Sequence, residues 1–251
     1  MTAKKTQKKI KTGGTVNAQD VAQFEVLGAK WWDESGPMAP LHRLNPLRMQ
    51  YIKSQICAAL GCNDLKGLKI ADIGCGGGLV TEPLYRMGAK VTGIDAGAEN
   101  IRAAKDHAKL MGLNIDYRAT TAEDLAASGT QFDVVTALEI VEHVSDVDLF
   151  LKSCAKLVRP GGVLIVSTLN RTAKSFLLGI VAVEYILRWL PAGTHNWKQF
   201  LKPSEVAKPL LASGLNVRDV TGVKYLPITR RFVLDKNDLD VNYFLTLRKK
   251  V

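Results

Sequence analysis

The chain has 251 residues, of which 47% are hydrophobic and 23% are charged, so it is long and apolar enough to bury one substantial core. This composition excludes a disordered or a fibrous protein. The net charge of +10 comes in large part from one lysine run near the start of the chain, formed by Lys4, Lys5, Lys8, Lys9 and Lys11.

Residues 1–17 are predicted to form a disordered basic arm, because a lysine run of this kind is usually solvated. Contact of the arm with anionic lipid or nucleic acid is the alternative. A transit peptide is not favoured, since Met1–Gly14 lacks the arginine, the serine and the apolar helical face of such segments, and no secretory signal is indicated either. The four cysteines have neither C-x-x-C spacing nor a disulfide framework, which favours a reducing compartment.

Two helices are predicted after the arm. The spacing of apolar residues indicates one over Ala18–Trp32 and another over Leu47–Leu60, with a loop rich in glycine and proline between them. Residues 18–66 are therefore predicted to form an N-terminal helical cap.

Strands then alternate with helices, which predicts a mostly parallel sheet with helices on both faces. Two final strands without a helix between them indicate an antiparallel edge. We therefore expect a doubly wound α/β domain over residues 67–251 with a seven-stranded sheet and an apolar helical insertion near residues 174–200. The predicted strands are Leu68–Ile73, Lys90–Ile94, Ile115–Arg118, Phe132–Leu138, Val163–Thr168, Val217–Tyr225 and Val241–Arg248. Helices are predicted over Glu99–Met111, Val147–Val158, Lys174–Leu190 and Pro203–Ser213.

The first predicted strand runs directly into a glycine turn, D-I-G-C-G-G-G, over Asp72–Gly78. Glycines let the backbone turn sharply and let a ligand approach main-chain N–H groups closely. The second strand ends in Asp95, about twenty residues later, where an acid can accept both hydroxyls of a ribose. A nucleoside ligand is therefore predicted at this edge of the sheet.

Two glycine-rich patterns that bind phosphate groups fit this turn less well than a nucleoside site does. A dinucleotide site reads G-x-G-x-x-G, but with Gly74 and Gly76 as its first glycines the last position is Leu79. A P-loop needs G-K-[ST] at the helix start, and the chain has no such run there. A ligand without a pyrophosphate is thus favoured.

The turn and the following acid resemble motif I and its partner in class I S-adenosylmethionine (SAM)-dependent methyltransferases. In that family the glycine turn lies against the methionine moiety, the acid holds the ribose, and an acidic segment after the third strand contacts adenine. The resemblance implies cofactor-binding roles for Asp72, Gly74, Gly76, Gly78, Asp95 and Glu123.

Further segments resemble the ubiquinone-biosynthesis O-methyltransferase family over roughly Asp20–Arg248. These are Glu25–Trp32, Pro40–Arg48, Ser167–Arg171, Gly193–His195, Gly222–Pro227 and Asp240–Tyr243. The resemblance implies methyl transfer from SAM to phenolic hydroxyls of 2-polyprenyl-6-hydroxyphenol and 3-demethylubiquinol. It also implies that Arg43 and Leu138 line the cofactor site, although the residues alone do not favour Arg43 over Arg48.

The same resemblance implies partners and a location. The substrate is a polyprenylated phenol or catechol, contact with a membrane surface and with other quinone-biosynthesis enzymes is expected, and nucleic acid is not. The expected location is the bacterial cytoplasm at the inner membrane, or the matrix side of the mitochondrial inner membrane in a eukaryote. The apolar segment Ser175–Tyr185 is predicted to line a groove for the polyprenyl tail of the substrate or to lie in a membrane interface. An ordinary buried helix is the alternative.

A Glu-x-x-Glu-His cluster follows the fourth strand, at the sheet edge where ligands of α/β folds bind. If Glu139, Glu142 and His143 lie on one helical turn, they share a face. One interpretation makes His143 a general base assisted by Glu142. The other makes all three the ligands of Mg²⁺, Mn²⁺ or Zn²⁺, which would lower the pKa of the phenol, and some members of the resembled family are taken to use a metal there. The alternative without a functional role is that an acid of this cluster caps a helix and His143 lies on the surface.

Two other functions stay open from the sequence. A SAM-dependent enzyme acting on RNA or another small molecule would use the lysine arm as an anchor, but the chain has no aromatic-rich basic module and no N-P-P-Y-like motif. A non-catalytic scaffold that binds SAM or lipid would show binding without turnover.

Overall fold

The N-terminal part of the computed structural model is helical. The structure describes residues 14–177, 196–229 and 231–251. Helix α1 (Ala18–Glu25) is N-capped by Asn17, and a short 3₁₀ helix (Gly28–Trp32) follows it. The single helix predicted over Ala18–Trp32 is therefore interrupted, because Gly28 has a φ of 46°, a left-handed conformation that breaks an α-helix.

Helix α2 (Ala39–Leu60) is longer than predicted and begins eight residues before Leu47. It continues through Pro46, which lacks the N–H group that an interior position normally donates. The buried face of α2, which includes Ile52 and Ile56, holds the helix against the sheet despite this local cost. Its end at Gly61 has a φ of 70°, the left-handed cap that favours glycine.

Five parallel strands form the centre of the molecule: β1 (Lys69–Ile73), β2 (Lys90–Asp95), β3 (Asp116–Ala119), β4 (Phe132–Leu138) and β5 (Val158–Leu169). The helices that connect them are α3 (Thr81–Arg86), α4 (Ala98–Leu110), α5 (Ala122–Ala127) and α6 (Val147–Leu157), with a 3₁₀ helix (Val141–His143) before α6. The strand order is β3-β2-β1-β4-β5, so the chain reverses direction across the sheet between β1 and β4. Ligands of open α/β sheets bind in the crevice at such a point, beyond the carboxyl ends of the strands.

The C-terminal part adds three antiparallel strands to β5. After the turn α7 (Ala173–Ser175), a 3₁₀ helix (Trp197–Gln199) and helix α8 (Pro203–Ala212) come β6 (Leu215–Leu226), β7 (Arg231–Asp235) and β8 (Asn242–Lys249). Strand β8 pairs with β5 and β6, and β7 forms the edge. The described sheet thus has eight strands, one more than predicted, because the short β7 forms a hairpin with β6.

Side chains on the two faces of the sheet enter two separate apolar clusters. Neighbouring residues alternate between them: Ile70 and Val134 pack with α2 and α3, whereas Ala71 and Val135 pack with α5, α6 and α8. This alternation follows from the two-residue period of a strand and explains why the central strands are apolar on both faces. The predicted doubly wound α/β class is confirmed.

Three predictions fall wholly or partly outside the described residues. They are the lysine run, most of the apolar segment from Lys174 to Leu190, and the segment Gly193–His195. The division of the chain at residues 17 and 66 stays a prediction. Among the helices that the structure describes, none has the length and apolar character needed to cross a membrane.

Candidate active site

The glycine turn after β1 leaves room for no side chain. Gly74, Gly76 and Gly78 have φ values of 71°, 52° and 93°, which other residues rarely adopt. A Cβ atom on Gly74 would lie 2.6 Å from Cγ1 of Ile140, and one on Gly76 would lie 2.4 Å from Cη2 of Trp31. Both the backbone conformation and the surrounding packing therefore require glycine.

Asp95 at the end of β2 is bound to this turn. Its Oδ2 accepts from the N–H of Gly76 at 3.0 Å, and its Oδ1 accepts from the N–H of Gly97 at 2.8 Å and from Nδ2 of Asn100 at 3.1 Å. Burial raises the pKa of Asp95, and these donors oppose the shift. The structure thus brings together the glycine turn and the acid that the sequence predicted to share one site.

Asp72 lies beneath the turn and is almost fully buried. The hydroxyl of Thr81 donates to its Oδ2 at 2.6 Å, and that of Thr136 donates to its Oδ1 at 2.8 Å. Burial raises the pKa of Asp72 to about 6. Because both carboxylate oxygens bind protein donors, Asp72 fixes β1 to α3 and β4 at the point where the turn begins.

Two adjoining cavities open at this edge of the sheet. The first, of about 100 Å³, is bordered by the glycine turn, Asp95 and residues 120–122, and the second, of about 140 Å³, by α2 and the end of β4. Both are lined by Phe24, Trp31, Gly74, Glu139 and His143. The two cavities therefore adjoin at one wall, and both border the glycine turn.

Arg48, and not Arg43, lines the second cavity, where Leu138 also lies. Arg48 is buried, its Nη2 lies 3.6 Å from Oε1 of Glu139, and its Nε and Nη2 have no hydrogen-bond partner within the described part of the chain. Burial lowers the pKa of Arg48, and the charge of Glu139 opposes that shift. Arg43 is exposed on the same helix, so its predicted contact with a cofactor stays a prediction.

Glu123 lies beside the first cavity rather than in its wall. Its Oε1 accepts from the N–H of Thr15 at 3.2 Å, while Thr120, Thr121 and Ala122 line the cavity itself. Glu123 thereby holds the segment before α1 against α5. Its predicted contact with adenine is untested by this arrangement.

The Glu-x-x-Glu-His cluster does not form the single helical face that would bring its three side chains together. Glu139 ends β4 with a φ of 53°, and only Val141–His143 form a turn of 3₁₀ helix. The backbone of Glu139 is left-handed rather than α-helical, and its carboxylate is bound by Ser167 of β5 and Asn242 of β8. Ser167 Oγ donates to its Oε1 at 2.7 Å, and Nδ2 of Asn242 donates to both oxygens at 3.0 and 3.1 Å.

The other two members of the cluster also have separate partners. Glu142 accepts from Oγ1 of Thr168 at 2.8 Å, and His143 contacts Asp20 through Nδ1 at 3.1 Å. Within residues 14–177, 196–229 and 231–251, no three His, Cys, Asp or Glu side chains are grouped so that they could hold a metal ion. As these side chains stand, they do not fit the predicted metal site.

Electrostatics distinguish Glu142, which is buried, from His143, which is partly buried. Burial and the nearby charge of Glu139 raise the pKa of Glu142 to about 7. Burial alone would lower the pKa of His143, but the hydrogen bond with Asp20 and the charge of Glu142 outweigh it, so the pKa of His143 is raised. The unprotonated His143 is therefore a stronger base than a free imidazole.

The sequence did not identify Asp20, Trp31 and Asn242 as residues of the site. Trp31 packs on the glycine turn, and its Nε1 donates to Oδ1 of Asn100 at 3.1 Å. Asn242 comes from the last strand, more than a hundred residues after Glu139. No local spacing links such distant positions, and only the resemblance to a family included their segments.

Comparison with known proteins agrees with this architecture. Residues 71–166 match the family model described as a methyltransferase domain. A ubiquinone biosynthesis O-methyltransferase from Sinorhizobium fredii is 48% identical over 240 residues, which cover 94% of this chain and 96% of the relative. One of the same name from Bartonella bacilliformis is 50% identical over 244 residues, covering 95% and 98%.

A solved structure of an S-adenosylmethionine-dependent methyltransferase from Clostridium acetobutylicum has the same fold. It aligns with a TM-score of 0.61 at 14% identity and covers 81% of this chain and 91% of that one. The predicted fold, the predicted enzyme class and the resemblance seen in the sequence are confirmed. The chain belongs to the ubiquinone biosynthesis O-methyltransferase family.

Proposed function

We propose that the enzyme transfers a methyl group from SAM to a phenolic hydroxyl of a polyprenylated ubiquinone precursor, and that His143 accepts the phenolic proton. The observation that carries this proposal is the wall shared by the two cavities. His143 lines both of them, together with Glu139 and Gly74. A base in that position can reach an acceptor oxygen in one cavity while the methyl donor is held from the other.

The first cavity suits the nucleoside half of SAM. The Asp95 carboxylate stands where a ribose diol would be held, and residues 120–122 border the place expected for the adenine. The crowded glycine turn suits close approach of a ligand to its main chain. When SAM is bound, its sulfonium supplies an already activated methyl group.

Arg48 suits the charged methionine end of SAM. Its buried Nε and Nη2 lack a hydrogen-bond partner among the described residues, and it lies beside Asp72 and Gly74 in the lining of the second cavity. A buried guanidinium pairs well with a carboxylate, since it presents several N–H donors in one plane. This favours Arg48 over Arg43 as the cofactor-binding arginine of α2.

The side chains around His143 would orient the acceptor and take up its proton. Ser167 and Asn242 hold the carboxylate of Glu139 by hydrogen bonds, so that it lines both cavities in a fixed position. His143 would remove the proton as the phenolic oxygen attacks, and the neighbouring Glu142 would stabilise the imidazolium that forms. Transfer in line from donor to acceptor then depends mainly on positioning.

The polyprenyl tail and the membrane belong to the same proposal. Phe176 and Leu177, where the described part of the chain meets the apolar segment, are 45% and 58% exposed. They are large apolar side chains that follow α7, the turn after β5, and the carboxyl end of β5 lies at the site edge of the sheet. We propose that the enzyme works at the cytoplasmic surface of the bacterial inner membrane, with Phe176 and Leu177 toward the lipid.

The test is transfer of labelled methyl from SAM to a catechol with a short prenyl tail. His143→Gln should lower kcat by roughly 10²–10⁴-fold, the usual contribution of a general base, while the Kd for SAM changes little. His107→Gln is the matched control, because His107 lies on α4 and contacts Glu82 outside both cavities, and it should retain normal turnover.

Three outcomes would contradict the proposal. A wild-type kcat in His143→Gln would show that His143 is not the general base. Inhibition by a chelator that is reversed by Mg²⁺, Mn²⁺ or Zn²⁺ would restore the metal interpretation of the Glu-x-x-Glu-His cluster. SAM binding without any transfer to the catechol would favour a scaffold, and transfer to RNA instead would favour the RNA enzyme.

A further inference from the structure

Asp20 of helix α1 contacts the imidazole of His143 across 123 positions of the chain. Its Oδ2 lies 3.1 Å from Nδ1, and the two side chains are only 20% and 11% exposed. Since a carboxylate can only accept, Nδ1 carries the proton and donates to it. A carboxylate on Nδ1–H fixes both the tautomer and the orientation of a histidine, so that Nε2 is the ring nitrogen able to take up a proton.

A second residue of α1 holds the same ring. Phe24, one helical turn after Asp20, meets the imidazole edge to face, with the ring centroids 5.0 Å apart and the planes at 84°. The ring is therefore held through its Nδ1 by Asp20 and along its side by Phe24. Both side chains project from one face of α1, as residues four apart do.

The chain next to both partners is joined by main-chain contacts. Val16 and Val144 form an antiparallel bridge, and the N–H of Ser145 donates to the carbonyl oxygen of Thr15 at 2.9 Å. These contacts lie within five residues of Asp20 and within two of His143. The position of Asp20 relative to the imidazole is thus set by backbone pairing as well as by the side chains.

We propose that Asp20 is a positioning residue for the methyl transfer: it aligns the His143 ring and stabilises its protonated form. This inference rests on the proposed role of His143 as the base. In the reaction the phenolic O–H proton moves to Nε2, the oxygen forms the new O–CH₃ bond, and the S–CH₃ bond breaks to leave a neutral thioether. The positive charge of the sulfonium ends on the imidazolium, which is where the Asp20 carboxylate faces it.

The experiment is a double-mutant cycle between Asp20→Asn and His143→Gln, with kcat and the Kd for SAM measured for each variant. Asp20→Asn should lower kcat by roughly 10–100-fold and change the Kd for SAM by less than about twofold, since alignment of the base affects the chemical step. Asp20→Glu should recover part of the loss. In the His143→Gln background, Asp20→Asn should have almost no further effect, because residues that act as a unit are not additive.

Glu34→Gln is the matched control, since Glu34 is an exposed acid of the same N-terminal region and its replacement also removes one negative charge. Urea unfolding checks that each variant is folded, and Asp20→Ser replaces Asp20→Asn in the cycle if the latter is not.

A purely structural role for Asp20, as an acid near the start of α1, predicts a different result. The Kd for SAM or the unfolding midpoint would change while kcat stayed normal, or kcat would fall by the same factor in both backgrounds. Either outcome would overturn the inference. Normal turnover in Asp20→Asn beside an inactive His143→Gln would refute the positioning role alone, whereas full turnover in His143→Gln would refute the proposed base itself.

Discussion

Replacing Asp95 with asparagine tests the cofactor site most directly. The carboxylate accepts from two main-chain N–H groups, of Gly76 and Gly97, and from the amide of Asn100. An asparagine keeps one acceptor oxygen and puts a donor in the other position. A donor would then face either a main-chain N–H or a ribose hydroxyl that needs an acceptor.

The expected loss follows from the strength of hydrogen bonds to a charged group. Each is worth about 1.5–3 kcal/mol, so loss of one bond to the ribose should raise the Kd for SAM by roughly 10- to 150-fold. Isothermal titration calorimetry with SAM and with its demethylated product measures this change, and urea unfolding shows whether the variant is folded.

The control is Asp116→Asn, because Asp116 is an exposed acid on β3 that pairs with Arg118. It should leave the Kd for SAM unchanged. A folded Asp95→Asn protein with the wild-type Kd would refute the reasoning, since the acid would then have no contact with the ribose.

Two further predictions concern the buried charges of the site. Burial raises the pKa of Glu142 from 4.5 to about 7, so the folded state binds the proton of this carboxyl more tightly than the unfolded state does. The free energy of unfolding should therefore fall as the pH rises from about 4.5 to 7. Glu142→Gln should reduce this fall by at most about 3 kcal/mol, as measured by urea unfolding at pH 5 and pH 8, and an unchanged pH dependence would contradict the prediction. Arg48→Met should raise the KM for SAM at least about tenfold, because a charged hydrogen bond is lost, whereas Arg43→Met should raise it less. A larger increase of the KM in Arg43→Met, measured by steady-state kinetics, would show that Arg43 contacts the cofactor instead.

The sequence predicted the parts of the site that depend on local chemistry. The glycine turn and Asp95 were predictable because a strand, a run of glycines and an acid at the end of the next strand lie within about twenty-five residues. Their relative position follows from the parallel pairing of β1 with β2. The central strands were predictable for a similar reason, since each is a short apolar run bounded by polar residues.

The parts that depend on distant contacts were not predictable. Glu139, Glu142 and His143 have helical spacing, but Ser167 and Asn242 hold Glu139 in a left-handed conformation that the spacing does not reveal. Arg43 and Arg48 lie on one helix, and only the packing of α2 against β5 and β7 shows which of them is buried. Strand β7 was missed because it is short and gains its stability from pairing with β6.

The position of Asn242 has a consequence for the order in which the protein folds and becomes active. Strand β8 follows β6 and β7 along the chain, yet it lies between β5 and β6 in the sheet, and Asn242 at its start holds the carboxylate of Glu139. Until β8 has paired, β5 has an open edge and Glu139 lacks this donor. Methyl transfer should therefore require complete pairing of β8, and a folding intermediate without that strand should expose an edge to which another chain can pair.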